Sequence, residues 1–312
     1  MQKSFSFTLT GRAWFLLFLF LYVFMAIIVG FSAAIGVNYT RGSLQPGLIA
    51  GAVIVFFLIF LCIIGWMVPV YRKFIGSASF DGKPFRFKGS VPAFVGMNLL
   101  GLFLTVITLT IYLPWYIRKV SNYIITQTEY DGKPLEFTGK GSALFVTMLW
   151  AFYVPVIIIA IAGAAGKTIA SGAKFKFFQQ MLSQILMIPF GYKMYQWMFN
   201  NTSWQGRAAH WNTKFWNAVG FVLGQTFLLF ITLFIYWPAS TLRIFRYYAA
   251  RTMVKEGDTV KGRFEFQGKI GKGFLLMWGQ LLLSIITLGI YIPWAITKVY
   301  RWITSETKFI EG

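Results

Sequence analysis

Charge, cysteine and histidine are what this sequence lacks. Of its 312 residues only 12% are charged, where an ordinary soluble domain carries roughly a quarter, while 57% are hydrophobic and 20% aromatic. That deficit excludes a water-soluble monomer. Acid is scarcest of all: 9 Asp and Glu stand against 29 Lys and Arg, for a formal charge of +20. In a soluble protein such an excess points to nucleic acid. In an apolar chain, Lys and Arg gather at span ends near anionic headgroups, so the lipid bilayer is the expected partner and nucleic acid is not. A single cysteine, Cys62, excludes an internal disulfide and a cysteine-based metal site. A single histidine, His210, excludes a multi-histidine metal site and a two-histidine haem, so no metal or other cofactor is expected.

What is present is apolar length. A bilayer core of ~30 Å takes about 20 apolar residues per helix, and that ruler marks seven candidate spans, at 13–37, 48–70, 92–113, 143–163, 177–190, 215–237 and 274–292. The first is too long for the h-region of a signal peptide and reads as an uncleaved span, despite Ser32-Ala33-Ala34. The fifth is diluted by Gln179, Gln180, Ser183 and Gln184 and cut by Pro189, which leaves a re-entrant segment open. All nine acids fall between spans or at the C-terminus, so the intramembrane carboxylate that an ion-coupled carrier uses is missing. Alternate inter-span segments carry more Lys and Arg on the N-terminal side, a vote for N-terminus in and C-terminus out.

Self-comparison adds an internal repeat. Asp81-Gly82-Lys83-Pro84-Phe85-Arg86-Phe87-Lys88-Gly89 returns as Asp131-Gly132-Lys133-Pro134-Leu135-Glu136-Phe137-Thr138-Gly139, and its second half as Phe264-Glu265-Phe266-Gln267-Gly268. In one ungapped register Thr108, Ile111, Tyr112, Pro114, Trp115 and Lys119 become Thr287, Ile290, Tyr291, Pro293, Trp294 and Lys298. A weaker copy runs through Thr232, Tyr236, Pro238 and Arg243. Two stretched copies, Gly11 to Pro69 and Gly139 to Pro189, exceed the compact Gly89 to Pro114 by about one span and its turn. The expectation is one membrane domain over 1–312: an all-α integral membrane fold of about seven helices in five related units, near 5–79, 80–129, 130–202, 203–255 and 256–312, joined by short β-hairpins.

Each unit has a physical sense. Asp-Gly supplies the positive φ of a tight turn, so 126–130 and the alternation at Leu135 and Phe137 make the two arms of a hairpin. Pro114 and Pro293 break the helix. Tyr112, Trp115, Tyr291 and Trp294 suit the headgroup boundary, and Arg118, Lys119 and Lys298 are placed to meet phosphates, with 114–125 as an interfacial amphipathic helix. Residues 5–9 form a second strand without a first and 303–309 a first without a second, so the two chain ends are expected to pair. Seven crossings would put those ends on opposite faces; the pairing therefore needs a span that does not cross.

These residues resemble the YjgN-like family, uncharacterised multi-pass inner-membrane proteins of bacteria grouped under a domain of unknown function. The resemblance rests on Asp81 to Gly89 with Asn98-Leu99-Leu100 and Pro114-Trp115, and on Phe264 to Gly268 with Thr287-Leu288-Gly289-Ile290-Tyr291-Ile292-Pro293-Trp294. The sequence departs from it at Thr110 and Phe234, where Gly is expected, and at Ala239, where Trp is. It implies residence in the bacterial inner membrane and no established activity.

Catalytic chemistry finds little footing. His210 sits between Trp204 and Asn212 without an evident nucleophile, Asp81 and Asp131 each head a turn, and Gly163 to Thr168 lacks the first glycine of a phosphate loop, reading as a short connection. An enzyme is not expected. Asn98, Gln225, Thr232, Gln280 and Thr287 are either glue between helices or the lining of a polar path. Two readings follow, a conduit for a small solute or lipid, and a non-catalytic scaffold that binds lipid headgroups or a partner protein.

Overall fold

Alternating aromatic and polar residues make strands here, and Asp-Gly or Gln-Gly pairs turn them. The computed structural model describes residues 2–41, 45–169 and 173–312. Its strands are β1 (Gln2–Phe7), β2 (Ala78–Phe80), β3 (Lys83–Phe87), β4 (Thr128–Tyr130), β5 (Lys133–Pro134), β6 (Glu136–Phe137), β7 (Thr202–Trp204), β8 (Arg207–Trp211), β9 (Thr252–Glu256), β10 (Thr259–Phe266) and β11 (Thr307–Glu311). The turn pairs Asp81-Gly82, Asp131-Gly132 and Gln205-Gly206 all have positive φ at both residues, from 50° to 77°, which matches the right-handed twist of the strands they join.

All pairings are antiparallel, in the order β5-β4-β3-β2-β1-β11-β10-β9-β8-β7-β6. Only Leu135 separates β5 from β6, and its N–H still donates to the Thr128 carbonyl at 2.8 Å. The sheet therefore comes round almost to a closed barrel. The chain ends pair as expected, Ser4 opposite Lys308 and Lys3 opposite Phe309, so both termini lie side by side. The N-in, C-out vote is corrected: a count of charges per segment assumes that every apolar segment crosses.

The helices fill the gaps between neighbouring strands. They are α1 (Gly11–Thr40), α2 (Pro46–Ile75), α3 (Val91–Ile107), α4 (Leu113–Thr126), α5 (Gly141–Met148), α6 (Val154–Ile169), α7 (Ala173–Leu186), α8 (Ile188–Asn200), α9 (Phe215–Ile231), α10 (Trp237–Arg251), α11 (Ile270–Ile286) and α12 (Ile292–Glu306). A π-helical turn, Leu149–Tyr153, joins α5 to α6. Gly163 to Thr168 thus lies in α6 rather than in a connection. Because β3 leads into α3, α4 leads into β4, and β3 pairs with β4, the two helices must leave the ring and return to the same end of it. The same holds for α1–α2, α9–α10 and α11–α12, whose flanking strands also pair.

The expected helical fold is met in part: beside the helices the hairpin strands join into one ring, and among the described residues three helical stretches, Gly11–Thr40, Pro46–Ile75 and Gly141–Ala164, are long and apolar enough to cross a membrane, where seven spans were expected. The other apolar helices, Val91–Ile107, Phe215–Ile231 and Ile270–Ile286, stop at 17 residues, about 25 Å at 1.5 Å per residue, short of the ~30 Å core. Hydropathy overcounts because the reversals, such as Thr108 to Tyr112, are themselves apolar.

Buried aromatics knit ring to helices. Phe7, Phe87, Phe137, Trp211 and Phe266, at the helical end of their strands, each sit in a separate core cluster: Phe87 with Val68 and Phe94, Phe137 with Leu144 and Trp197, Phe266 with Leu242 and Trp302. At ~1.5–3 kcal/mol for each large buried side chain, these clusters fix each helical pair to its strands.

Candidate functional site

The first candidate is the helix reversal. At Leu109-Thr110, Leu233-Phe234 and Leu288-Gly289 the backbone turns to φ between 47° and 89°. The N–H groups of Thr110, Phe234 and Gly289 reach back to the carbonyls of Thr105, Leu229 and Ser284 at 2.7–2.9 Å, the six-to-one bond of a Schellman ending. Thr108, Thr232 and Thr287 then accept from the N–H groups of Tyr112, Tyr236 and Tyr291 at 3.0–3.2 Å, fastening the next helix to the last. Tyr153, Trp278 and Tyr22, each from another helical pair, donate to the carbonyls of Thr110, Ile235 and Gly289. Carbonyls freed by a break in an apolar environment are costly without such a partner.

The structure brings Tyr112, Trp115 and Lys119 together, and likewise Tyr291, Trp294 and Lys298. The rings stack at 6.2 and 6.1 Å. Lys119 Nζ lies 5.7 Å from the Tyr112 ring centre, and Lys298 Nζ donates to Tyr291 Oη at 2.7 Å. Pro114 and Pro293 are fully buried in the first turn of α4 and α12, where a missing N–H costs nothing. Arg118 does something different from its neighbour: its Nε donates to the Gly139 carbonyl at 3.1 Å. Arg72, Arg246 and Arg301 reach in the same way to the carbonyls of Gly89, Gly268 and Leu9, and Tyr192 to that of Thr213. Each bond ties one helical pair to the start of the next, and Arg301 closes the circle.

Asn98, Gln225 and Gln280 are not brought together. Each accepts from a tyrosine of its own helical pair: Asn98 from Tyr116 at 2.6 Å, Gln225 from Tyr236 at 3.3 Å, Gln280 from Tyr291 at 3.0 Å. Thr232 and Thr287 are committed to the reversals. His210 lies on β8, its pKa held below 6.5 by partial burial and by the Lys255 ammonium. Among the described residues no three of His, Cys, Asp and Glu are grouped to hold a metal.

The second candidate, which sequence reading missed, is the interior of the ring. Phe5, Phe80, Phe85, Tyr130, Trp204, Phe264 and Phe309 line a cup of about 680 Å³, inside the ~300–1,000 Å³ range of small-molecule pockets. Neighbouring rings touch at 4.7–5.9 Å from Trp204 through Tyr130, Phe80 and Phe5 to Phe264. Ion pairs ring the mouth: Lys3 with Glu311 at 2.6 Å and Asp81 at 3.6 Å, Lys83 with Asp131 at 2.6 Å, and Glu256 with Lys261 at 3.2 Å and Arg207 at 3.7 Å. Outward positions such as Ser4, Ser6, Arg86, Glu136 and Arg263 are exposed and polar. Such a ring is polar outside and apolar within, the reverse of a transmembrane barrel. The available signal was the spacing of Phe85 with Phe87 and Phe264 with Phe266: side chains two apart share a strand face, so one of each pair sits in the core while its neighbour stays in the cup.

No curated protein and no solved structure matches the chain. A family model does, across residues 82–254 and 261–312, which takes in four of the five helical segments and the walls of the cup from β3 onward. The chain therefore belongs to DUF898, a family described as bacterial protein of unknown function.

Proposed function

We propose that the protein is a non-catalytic scaffold of the bacterial inner membrane, multi-pass through its longer helices, that holds a strand ring in water at one membrane surface. The observation that carries this reading is the separation of charge from exposed apolar surface. Eight of the nine acids lie on the ring or its turns, and the ninth, Glu306, ends α12. At the other end Leu109, Leu233 and Leu288, at the tips of the helical pairs, are 84%, 76% and 92% exposed. Leucines so placed suit hydrocarbon rather than water. The short pairs then dip into the bilayer and return, while the longer helices cross it. Five strand–helix–strand segments around one ring support the reading of five related units. Lys119 and Lys298, each beside a stacked Tyr and Trp, suit lipid phosphates. The conduit loses support because Asn98, Gln225 and Gln280 each bond within a separate helical pair.

Thiol labelling tests this. With Cys62 replaced by Ser, single cysteines at Asp81, Asp131 and Asp258 are expected to react with an impermeant maleimide from one and the same side of sealed vesicles. Cysteines at Leu109, Leu233 and Leu288 are expected to resist it from both. Reaction of Asp81 and Asp131 from opposite sides would restore the seven-crossing arrangement and end this reading.

A further inference from the structure

The cup carries a second proposal, which rests on the reading above only in placing the mouth of the ring in water. We propose that it binds a medium-chain anionic amphiphile, an alkyl carboxylate, with its tail among the aromatic walls and its head between Arg207 and Lys261.

Shape and polarity select the tail. Phe5, Phe80, Phe85 and Phe264 are only half-buried, although each is a large apolar side chain on a concave wall, so an occupant would remove apolar area from water at ~25 cal/mol per Å². The polar atoms of the wall are already committed, Tyr130 Oη to the Phe80 carbonyl at 3.2 Å and Trp204 Nε1 to the Tyr130 carbonyl at 3.1 Å. The wall therefore presents carbon. Its touching rings are tilted against one another by 33° to 83°, which leaves flexible contact for a chain rather than a parallel slot for a flat ring.

Charge selects the head. Four cations line the cup, Lys3, Lys83, Arg207 and Lys261, and the carboxylates of Asp81, Glu311, Asp131 and Glu256 face them. Arg207 and Lys261 converge on the single carboxylate of Glu256, so this side of the mouth keeps a positive excess that a second carboxylate would balance with charge-assisted hydrogen bonds. Access selects the chain length. The mouth is formed by the strand turns and the chain ends, opposite the helices, so the ligand arrives from water and must be soluble there. Octanoate fits that description, and a bilayer phospholipid does not.

The experiment uses the full chain in nanodiscs, with 8-bromooctanoate as a quencher of tryptophan fluorescence and empty nanodiscs to subtract partitioning. Saturable quenching is expected, reversed by octanoate and not by octyltrimethylammonium. It is expected to be largely lost in Trp204→Phe, whose ring faces the cup. In Lys261→Gln, which alters a side chain that is 45% exposed and leaves the fold intact, affinity is expected to fall about tenfold, the scale of one charge-assisted contact. Quenching that rises without saturation, that is unchanged in Trp204→Phe, or that octyltrimethylammonium reverses as well as octanoate, overturns the proposal.

Discussion

At the scale of the residue, the three reversals ask the same backbone of different side chains. Gly289 meets φ 89° at no cost, whereas Thr110 at 73° and Phe234 at 67° hold a left-handed conformation that costs a residue with a Cβ about 1–2 kcal/mol. Glycine there recovers that strain and loses about 0.5–1 kcal/mol to its freer unfolded chain. Thr110→Gly is therefore expected to stabilise the protein by about 0.5–1 kcal/mol, and Gly289→Thr to destabilise it by about the same amount, both read as shifts of the thermal unfolding midpoint in detergent. Thr110 and Phe234 already stood out in the sequence as residues in glycine's place. What the sequence did not disclose is that the break reverses the chain, because a left-handed residue inside an apolar run leaves hydropathy unchanged.

At the scale of the element, adjacent basic residues part company. Arg118 and Lys119 look alike as a pair beyond Pro114, yet one guanidinium bonds the Gly139 carbonyl while the neighbouring ammonium is exposed over a tyrosine ring. Removing a charged donor from a partly buried carbonyl costs about 1.5–3 kcal/mol, whereas an exposed cation–π contact contributes about 0.5–1 kcal/mol. Arg118→Met is thus expected to lower the midpoint of denaturant unfolding clearly more than Lys119→Met; equal effects would mean that the bond to Gly139 does not hold α4 to the start of α5. Close helix approach offers a second check. Gly101 faces Tyr116, whose ring would lie 2.1 Å from an added Cβ. Gly101→Ala must then displace the ring and its bond to Asn98, at an expected cost of about 1–3 kcal/mol in the same measurement. The Pro, the Trp and the basic pair were legible as local features. The partners of Arg118 and Trp115 on the next helical segment, the Gly139 carbonyl and Phe145, were not, since they are brought there by the ring.

At the scale of the whole molecule, closure rests on one junction between the two chain ends. Half-hairpins at both termini announced it, because a strand with an unpaired edge needs a partner; the interior cup did not show itself, since it exists only once all the strands have assembled. Lys3 sits at this junction, its ammonium on Glu311 at 2.6 Å and Asp81 at 3.6 Å. Its hydrogen bond to Glu311 raises the Lys3 pKa above 10.5, and the same bond lowers that of Glu311 below 4.5. A lowered carboxylate pKa contributes stability that is complete above the unfolded value of 4.5 and is lost as pH falls through the folded value. A raised lysine pKa contributes stability that is complete below 10.5 and is lost as pH rises through the folded value. The junction is therefore strongest between those limits. Lys3→Met is expected to lower the melting temperature throughout that window, and the gap between variant and parent is expected to close on acidification below the carboxylate range. His210 pulls in the same direction in both proteins: its pKa lies below 6.5, so stability falls as the imidazole is forced to take up a proton in acid, and subtracting the two melting curves removes its contribution. A gap that stays constant from neutral pH into strong acid would show that backbone pairing of β1 with β11 closes the ring without help from the charges.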